Sequence, residues 1–291
     1  MNKPSKGAAL IMVLFIAAIL GSVAVLLIVK TKQHIQRITI AKEFMQAERD
    51  LITDLNHFIF MTQSSPYAIM GDSSNIPFSK KDLPKGINLQ NSPFTYRKSQ
   101  FSIQDMGGLI SISPLDRTQF TRYLAQKNWP KDQIYRFIDV LEDWQDDDGF
   151  QRVNGAEAHK YSVYGYPLNQ SIQSVKELGL LANIDPLLLK DLASDKNLII
   201  YSAGRQTFDY VPDDLLPVFN SGSDADSLQL ARDKSRQNGK SLLMTDYSSG
   251  NWIIKVNTSY KQSKSSKMLH LLRRFGEHRP FVISHWQERA K

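Results

Sequence analysis

Residues 8–29 read AALIMVLFIAAILGSVAVLLIV, an apolar run without a single charged side chain. Those residues, rising about 1.5 Å each, make a helix of roughly 33 Å, enough to cross a hydrocarbon layer of about 30 Å. A secretory signal would have a shorter apolar core with small residues at a cleavage site beyond it. Here Lys30-Thr31-Lys32-Gln33 follows and offers no such site. The run predicts an anchor that stays with the chain, with residues 8–29 as the transmembrane segment of an N-terminal helix.

Helical character continues outward from Val29. Ile35, Ile38, Met45, Ile52, Leu55 and Ile59 recur at three-, four- and seven-residue steps, with Lys42, Glu43, Arg49 and Asp50 between them. Neither proline nor glycine occurs from Ser22 to Ser65. One continuous helix from about 8 to about 62 is predicted, its second half leaving the bilayer to pack an apolar stripe on a globular domain. A membrane helix followed by a separate amphipathic helix stays open. Residues 64–98, rich in Ser, Pro, Asn and Gly, read as loop with short strands. Phe101-Ser102-Ile103 and Ile110-Ser111-Ile112 alternate on either side of Gly107-Gly108, which predicts a β-hairpin.

The middle of the chain turns helical. Ser113-Pro114-Leu115-Asp116 places a capping serine, a proline and an acid at a helix start. A second helix is expected near Pro130, with Ile134, Phe137, Ile138, Leu141 and Trp144 on one apolar face. Ser174-Val175-Lys176-Glu177 is a capping box, and Asp185-Pro186 opens a short leucine-rich helix. Residues 113–195 thus read as a compact helical domain inserted in an α/β body, whose first part is residues 30–112. Residues 196–291 read as the second part of that body. Leu198–Tyr201 is expected as a strand, Pro212–Phe219 and Ala225–Arg236 as helices, and Trp252–Val256 and Pro280–Trp286 as strands returning to the sheet begun near 101.

Composition narrows the chemistry. The chain has no cysteine, which excludes thiolate catalysis, Cys-type zinc sites and disulfides. Its net charge is +7. A basic C-terminal tail with Lys261, Lys264, Lys267, Arg273, Arg274 and Arg279 suits lipid headgroups or an acidic partner, although such charge is commonly a solvated face. No nucleic-acid motif is present. The histidines, His34, His57, His159, His270, His278 and His285, are scattered. There is no HExxH, GxSxG or phosphate loop, and Glu157 beside His159 reads as a surface pair. No catalytic residue is expected.

Asp139, Glu142, Asp143 and Asp146 recur at helical spacing opposite the apolar face, and Asp147 and Asp148 follow at once. Acids at a helix C-terminus oppose its dipole by about 0.3–1 kcal/mol each. Arg152 and Lys160, or a hard cation such as calcium, are candidates to compensate. The stretch is no EF-hand: aligning Gly149 with the loop glycine puts Trp144 first and Gly155 last, where acids are required. A solvated acidic helix end competes with cation binding.

Two resemblances bear on these readings. The stub MNKPSKG carries Lys3 and Lys6, and Gly7 followed by Ala8, Ala9 and Leu10 resembles a type III, prepilin-type signal. That resemblance implies a leader of residues 1–7, cleavage after Gly7 and N-methylation of Ala8. An ordinary signal-anchor is the alternative, and the lysines on both sides of the run leave its orientation open by charge alone. Counting from Ala8, the fifth residue is Met12, where pilins and most pseudopilins carry a glutamate that pairs with a neighbour's terminal amine.

The stretch Asp143-Trp144-Gln145-Asp146-Asp147-Asp148, then Gly155-Ala156-Glu157 and Tyr161, resembles the D-W-x-D-x-D … G-A-E … Y pattern of general secretion pathway protein K. This is the minor pseudopilin of type II secretion that lacks the fifth-residue glutamate. Asn169 to Leu178 is similar to that family's N-x-P-φ-x-S-φ-x-E-L run, with Ser171 in place of the proline, and Ile184-Asp185-Pro186 follows at suitable spacing. Ala203-Gly204-Arg205-Gln206 departs from the family's turn. The resemblance implies an α+β, pilin-like fold in which a long N-terminal helix packs on a small antiparallel sheet, with an inserted all-α (SAM-like) domain. It implies a single-pass inner-membrane protein, its bulk periplasmic, at the tip of the pseudopilus in assembly and export. Its partners would be the I- and J-type minor pseudopilins, with the H type a further candidate, besides the major pseudopilin, the inner-membrane platform, prepilin peptidase and membrane lipid. Calcium is implied among the acids, with Asp143, Asp146, Asp148 and Glu157 as candidate ligands. A minor pilin of a type IV pilus and a signal-anchored periplasmic adaptor are the alternatives.

Overall fold

The computed structural model describes residues 6–71, 83–201, 207–219, 247–274 and 281–290. Helix α1 (Lys6–Gln63) is unbroken, as a stretch free of proline allows. Leu10 to Val29 are exposed along its N-terminal half. Among the described residues α1 alone is long and apolar enough to cross a membrane. A short helix α2 (Tyr67–Met70) follows.

The strands are β1 (Phe94–Tyr96), β2 (Ser99–Asp105), β3 (Ile110–Ser113), β4 (Leu198–Tyr201), β5 (Asn251–Tyr260), β6 (Ser263–Arg273) and β7 (Phe281–Ala290). Five of them form an antiparallel sheet in the order β1-β2-β5-β6-β7, and α1 lies across β5 and β6. The face of α1 that packs there is Ala47, Leu51, Leu55, Phe58 and Ile59, spaced as one helical stripe. Phe58 meets Phe101 with ring centroids 4.8 Å apart. The expected stripe was phased differently. Of its members only Leu55 and Ile59 are buried, whereas Ile35, Ile38, Met45 and Ile52 face outward. Acids share the true buried face and meet bases of the sheet. Lys267 Nζ lies 3.0 Å from Glu48, and Lys98 Nζ lies 3.0 Å from Asp50. The buried Asp54 takes Arg97 Nε at 3.1 Å, the Lys98 amide at 3.1 Å and the Ser99 hydroxyl at 2.8 Å, closing the β1–β2 turn onto the helix.

Three expectations need correction here. The hairpin around Gly107-Gly108 does not form: β2 pairs with β1 and β5, while β3 pairs in parallel with β4 in a separate two-stranded sheet. Met106–Gly108 is a 3₁₀ turn that carries the chain from one sheet to the other, with the Asp105 carboxylate accepting from the Gly107 amide at 2.7 Å. Gly108 is required by close approach, since a Cβ there would sit 2.2 Å from the Tyr210 carbonyl oxygen. Correspondingly, β4 does not return to the large sheet. Finally, residues 261–274 are not a basic tail: β6 is an interior strand and Lys267 is buried. Ala225–Arg236, Ala203–Gln206, His278 and Arg279 lie outside the described residues.

The inserted region contains α3 (Arg117–Gln126), α4 (Lys131–Gln145), 3₁₀ turns at Ala158–Lys160 and Val175–Leu180, and α5 (Pro186–Ala193). The N-cap of α3 is Asp116, whose carboxylate accepts from the Gln119 amide at 2.9 Å, not Ser113, which ends β3. Asp185 caps α5 through the Leu187 amide at 2.8 Å, as the sequence leads one to expect. Ser174 opens a 3₁₀ turn and accepts from the Lys176 amide, while Glu177 accepts from the Gln173 amide. Trp144, Phe137 and Phe120 are fully buried in a core separate from that under α1. The 207–219 segment, ending in α6 (Leu216–Phe219), packs back on α3.

Candidate functional site

Two places carry function-bearing residues. The first is α1. Gly7 and Ala8 lie in its first turn, and Met12 projects from its surface, two-thirds exposed, among other apolar side chains. An apolar surface of that kind suits methionine and would penalise an acid left without a partner.

The second is the acidic end of α4. Asp139 and Asp143 are not on a solvated face as the spacing suggests; both are buried. Asp139 accepts from Arg117 Nη2 at 2.7 Å and, on its other oxygen, from the Asn154 amide at 3.1 Å and side chain at 2.9 Å. Burial of Asp139 opposes ionisation, but these donors, Arg117 first, bring its pKa below the usual carboxylate value. Arg152 turns back onto the helix end. Its Nη1 reaches Asp143 Oδ1 at 2.7 Å and also Asp146 Oδ2, while its Nε lies 2.8 Å from Glu142. Its own amide points at the Asp143 carboxylate. Arg152, named from the sequence as a compensating base, does compensate.

Beyond Arg152, which holds one oxygen of Asp146, three acids are brought together. Asp146, Asp148 and Glu157 each offer a carboxylate oxygen, and these oxygens lie within 4.8 Å of one another. Oδ1 of Asp146 and Oε1 of Glu157 are buried and have no hydrogen-bond partner. Burial, followed by the fields of Asp143, Asp146 and Asp148, raises the Glu157 pKa. Carboxylate oxygens left bare and crowded are the donor set a hard cation takes, so the residues present fit calcium. Asp143, the fourth candidate, sits behind this group, held by Arg152. Gly155 explains the Gly-Ala-Glu spacing: a Cβ there would lie 1.8 Å from Asp143 Oδ2, so only glycine lets the chain pass and turn Glu157 inward.

Sequence reasoning missed the parts that reach across the chain. Arg117 has no local signal linking it to Asp139, and Asp105, which joins the two halves of the fold, looks like any strand-end acid. Asp105 takes the Gly107 amide at 2.7 Å and the Thr207 hydroxyl on Oδ1. On Oδ2 it takes the Ser248 hydroxyl at 2.6 Å and the Ser249 amide at 2.9 Å.

The model of the family "Type II secretion system (T2SS), protein K" matches residues 89–194. No curated protein matches the chain in sequence. Among solved structures it is similar to a chain of "the GspK-GspI-GspJ complex from enterotoxigenic Escherichia coli Type 2 Secretion System", with a TM-score of 0.54 and 14% identity over 88% of this chain and 100% of that one. At that identity the likeness speaks for the fold, a pilin-like α+β body. The family match runs from Leu89 through the β1–β2 hairpin, the helical insert and the acidic loop to Ser194, and over that stretch this chain matches the type II secretion system protein K family.

Proposed function

We propose that this chain, a minor pseudopilin and structural component rather than an enzyme, caps the tip of the type II secretion pseudopilus and initiates its assembly during export across the outer membrane. The observation that carries this is the pairing of α1, whose membrane half bears Met12 in place of an acid, with a helical insert built on the pilin-like body. A pilin-type subunit joins a fibre by its helix and accepts the next subunit above its globular body. The insert is bulk in the way of that next subunit. The missing acid removes the contact to a subunit already in place. Both features suit a chain that enters first.

In this reading α1 spans the inner membrane with the body in the periplasm. Prepilin peptidase cuts between Gly7 and Ala8, Ala8 is methylated, and the major pseudopilin, the inner-membrane platform and lipid surround the rod. The I- and J-type minor pseudopilins are the immediate neighbours, as the composition of the similar complex suggests, with the H type a further candidate. Asp146, Asp148 and Glu157 would hold a calcium ion, supplying positive charge beyond that of Arg152, which faces Glu142, Asp143 and one oxygen of Asp146.

Intact mass measurement of the chain from working envelopes is expected to give a polypeptide starting at methylated Ala8. A chain that still begins at Met1 refutes the processing and, with it, entry into a fibre. Affinity capture of the chain is expected to bring down the I- and J-type pseudopilins together. Recovery of the chain alone from solubilised envelopes refutes its place in a tip complex.

A further inference from the structure

The loop after α4 contains both a cluster of bare acids and a fixed cation, and their arrangement assigns a role to the latter. Arg152 stands behind the proposed calcium site rather than in it. One guanidinium nitrogen, Nη1, bridges Asp143 Oδ1 and Asp146 Oδ2, and Nε holds Glu142. Asp146 therefore has one oxygen occupied, which fixes its rotation, and the other, Oδ1, buried and free. That leaves Oδ1 available to a cation held with Asp148 and Glu157, whose carboxylate oxygens converge with one of Asp146 within 4.8 Å. Asp148 is oriented in its turn by the Phe150 amide, which donates to its Oδ1 at 2.8 Å. Gln151 Nε2 closes the loop on the Gly155 carbonyl at 2.9 Å, just before Glu157.

We infer that Arg152 is the positioning residue of the calcium site, orienting Asp146 and neutralising the acids behind it so that three carboxylates stay converged before any cation arrives. The inference rests on the calcium reading of this loop. A guanidinium near a cation site has two opposed effects. It repels the incoming ion, and it holds a ligating carboxylate in place. Three carboxylates already surround this guanidinium, which mutes the repulsion, whereas nothing else within the loop fixes Asp146. Outer partners of ligating groups commonly change affinity by about 10- to 100-fold, so positioning wins here.

The test is calorimetric titration of calcium chloride into the detergent-solubilised full chain after chelator treatment, with far-ultraviolet circular dichroism as the control for folding. R152Q is expected to bind calcium about tenfold or more weakly than the unaltered chain. R152K, which keeps the charge and the Asp143–Asp146 bridge but loses the Glu142 contact, is expected to recover part of the loss. E142Q frees one edge of the guanidinium without touching a candidate ligand and is expected to give a smaller loss in the same direction; it carries the test if R152Q does not fold. D148N marks the site itself and is expected to abolish binding. Binding that D148N abolishes but R152Q or E142Q leaves equal or tighter overturns the role of Arg152 alone. No calcium binding by the unaltered chain overturns the site and the inference together.

Discussion

Asp105→Ala is expected to destabilise the folded chain by about 3–5 kcal/mol. Asp105 is fully buried and collects donors from three separate segments: the 3₁₀ turn at 106–108, Thr207, and Ser248-Ser249 just before β5. Alanine leaves two amides and two hydroxyls facing an apolar void, and each unmet buried group costs about 1–3 kcal/mol, with relaxation recovering some of the total. Burial raises the pKa of Asp105, with the hydrogen bonds from Ser248, Ser249 and the Gly107 amide pulling the other way. Asp105→Asn keeps the volume and one acceptor oxygen but turns an NH₂ toward two donors, and should cost less than alanine. Trp252 is the built-in reporter, because its Nε1 donates to Ser248 Oγ at 2.8 Å. Urea unfolding of the solubilised chain, followed by tryptophan fluorescence, measures both variants; an alanine variant within about 1 kcal/mol of the parent would remove Asp105 as the joint of the fold.

That joint also shows where the sequence stops being legible. Elements whose signals are local could be read: the length of α1, the Asp185-Pro186 start of α5, the apolar face of α4 from Ile134 to Trp144. Gly107-Gly108 carried a hairpin signal of the right kind, but its cause is tertiary. Gly108 is there because the Tyr210 backbone, a hundred residues on, passes too close for a side chain. Strand β6 was hidden for the opposite reason. Its inward positions run Ser263, Ser265, Lys267, Leu269 and Leu271, so the alternation expected of a half-buried strand is masked where α1 supplies Glu48 instead of apolar surface. The acidic loop was legible as composition and motif. Its division into acids answered by Arg117 and Arg152, and acids left bare, depends on where α3 and the 150s loop fold back, which no spacing records.

The other large effect is expected from Met12→Glu. Met12 lies on the exposed surface of α1 near the start of the segment proposed to span the membrane, and a charged residue costs about 2.5–3.5 kcal/mol at the centre of a membrane helix on insertion scales, an upper bound for a position nearer its end. A pilin-like subunit recovers that cost by pairing the acid with the terminal amine of a neighbour, so the variant gains a reason to dock against a subunit already in the fibre. The parent chain has none. Under the proposed tip role, copies of the variant are therefore expected along the shaft as well as at the end, up to the limit the helical insert would set by obstructing the next subunit above. The absence of native cysteine makes this readable: single cysteines placed in α1 and in the major pseudopilin should cross-link along sheared fibres for the variant and only at the ends for the parent. If the variant stays at fibre ends, the vacancy at position 12 does not hold this chain at the tip, and the steric bulk of the insert must account for the position unaided.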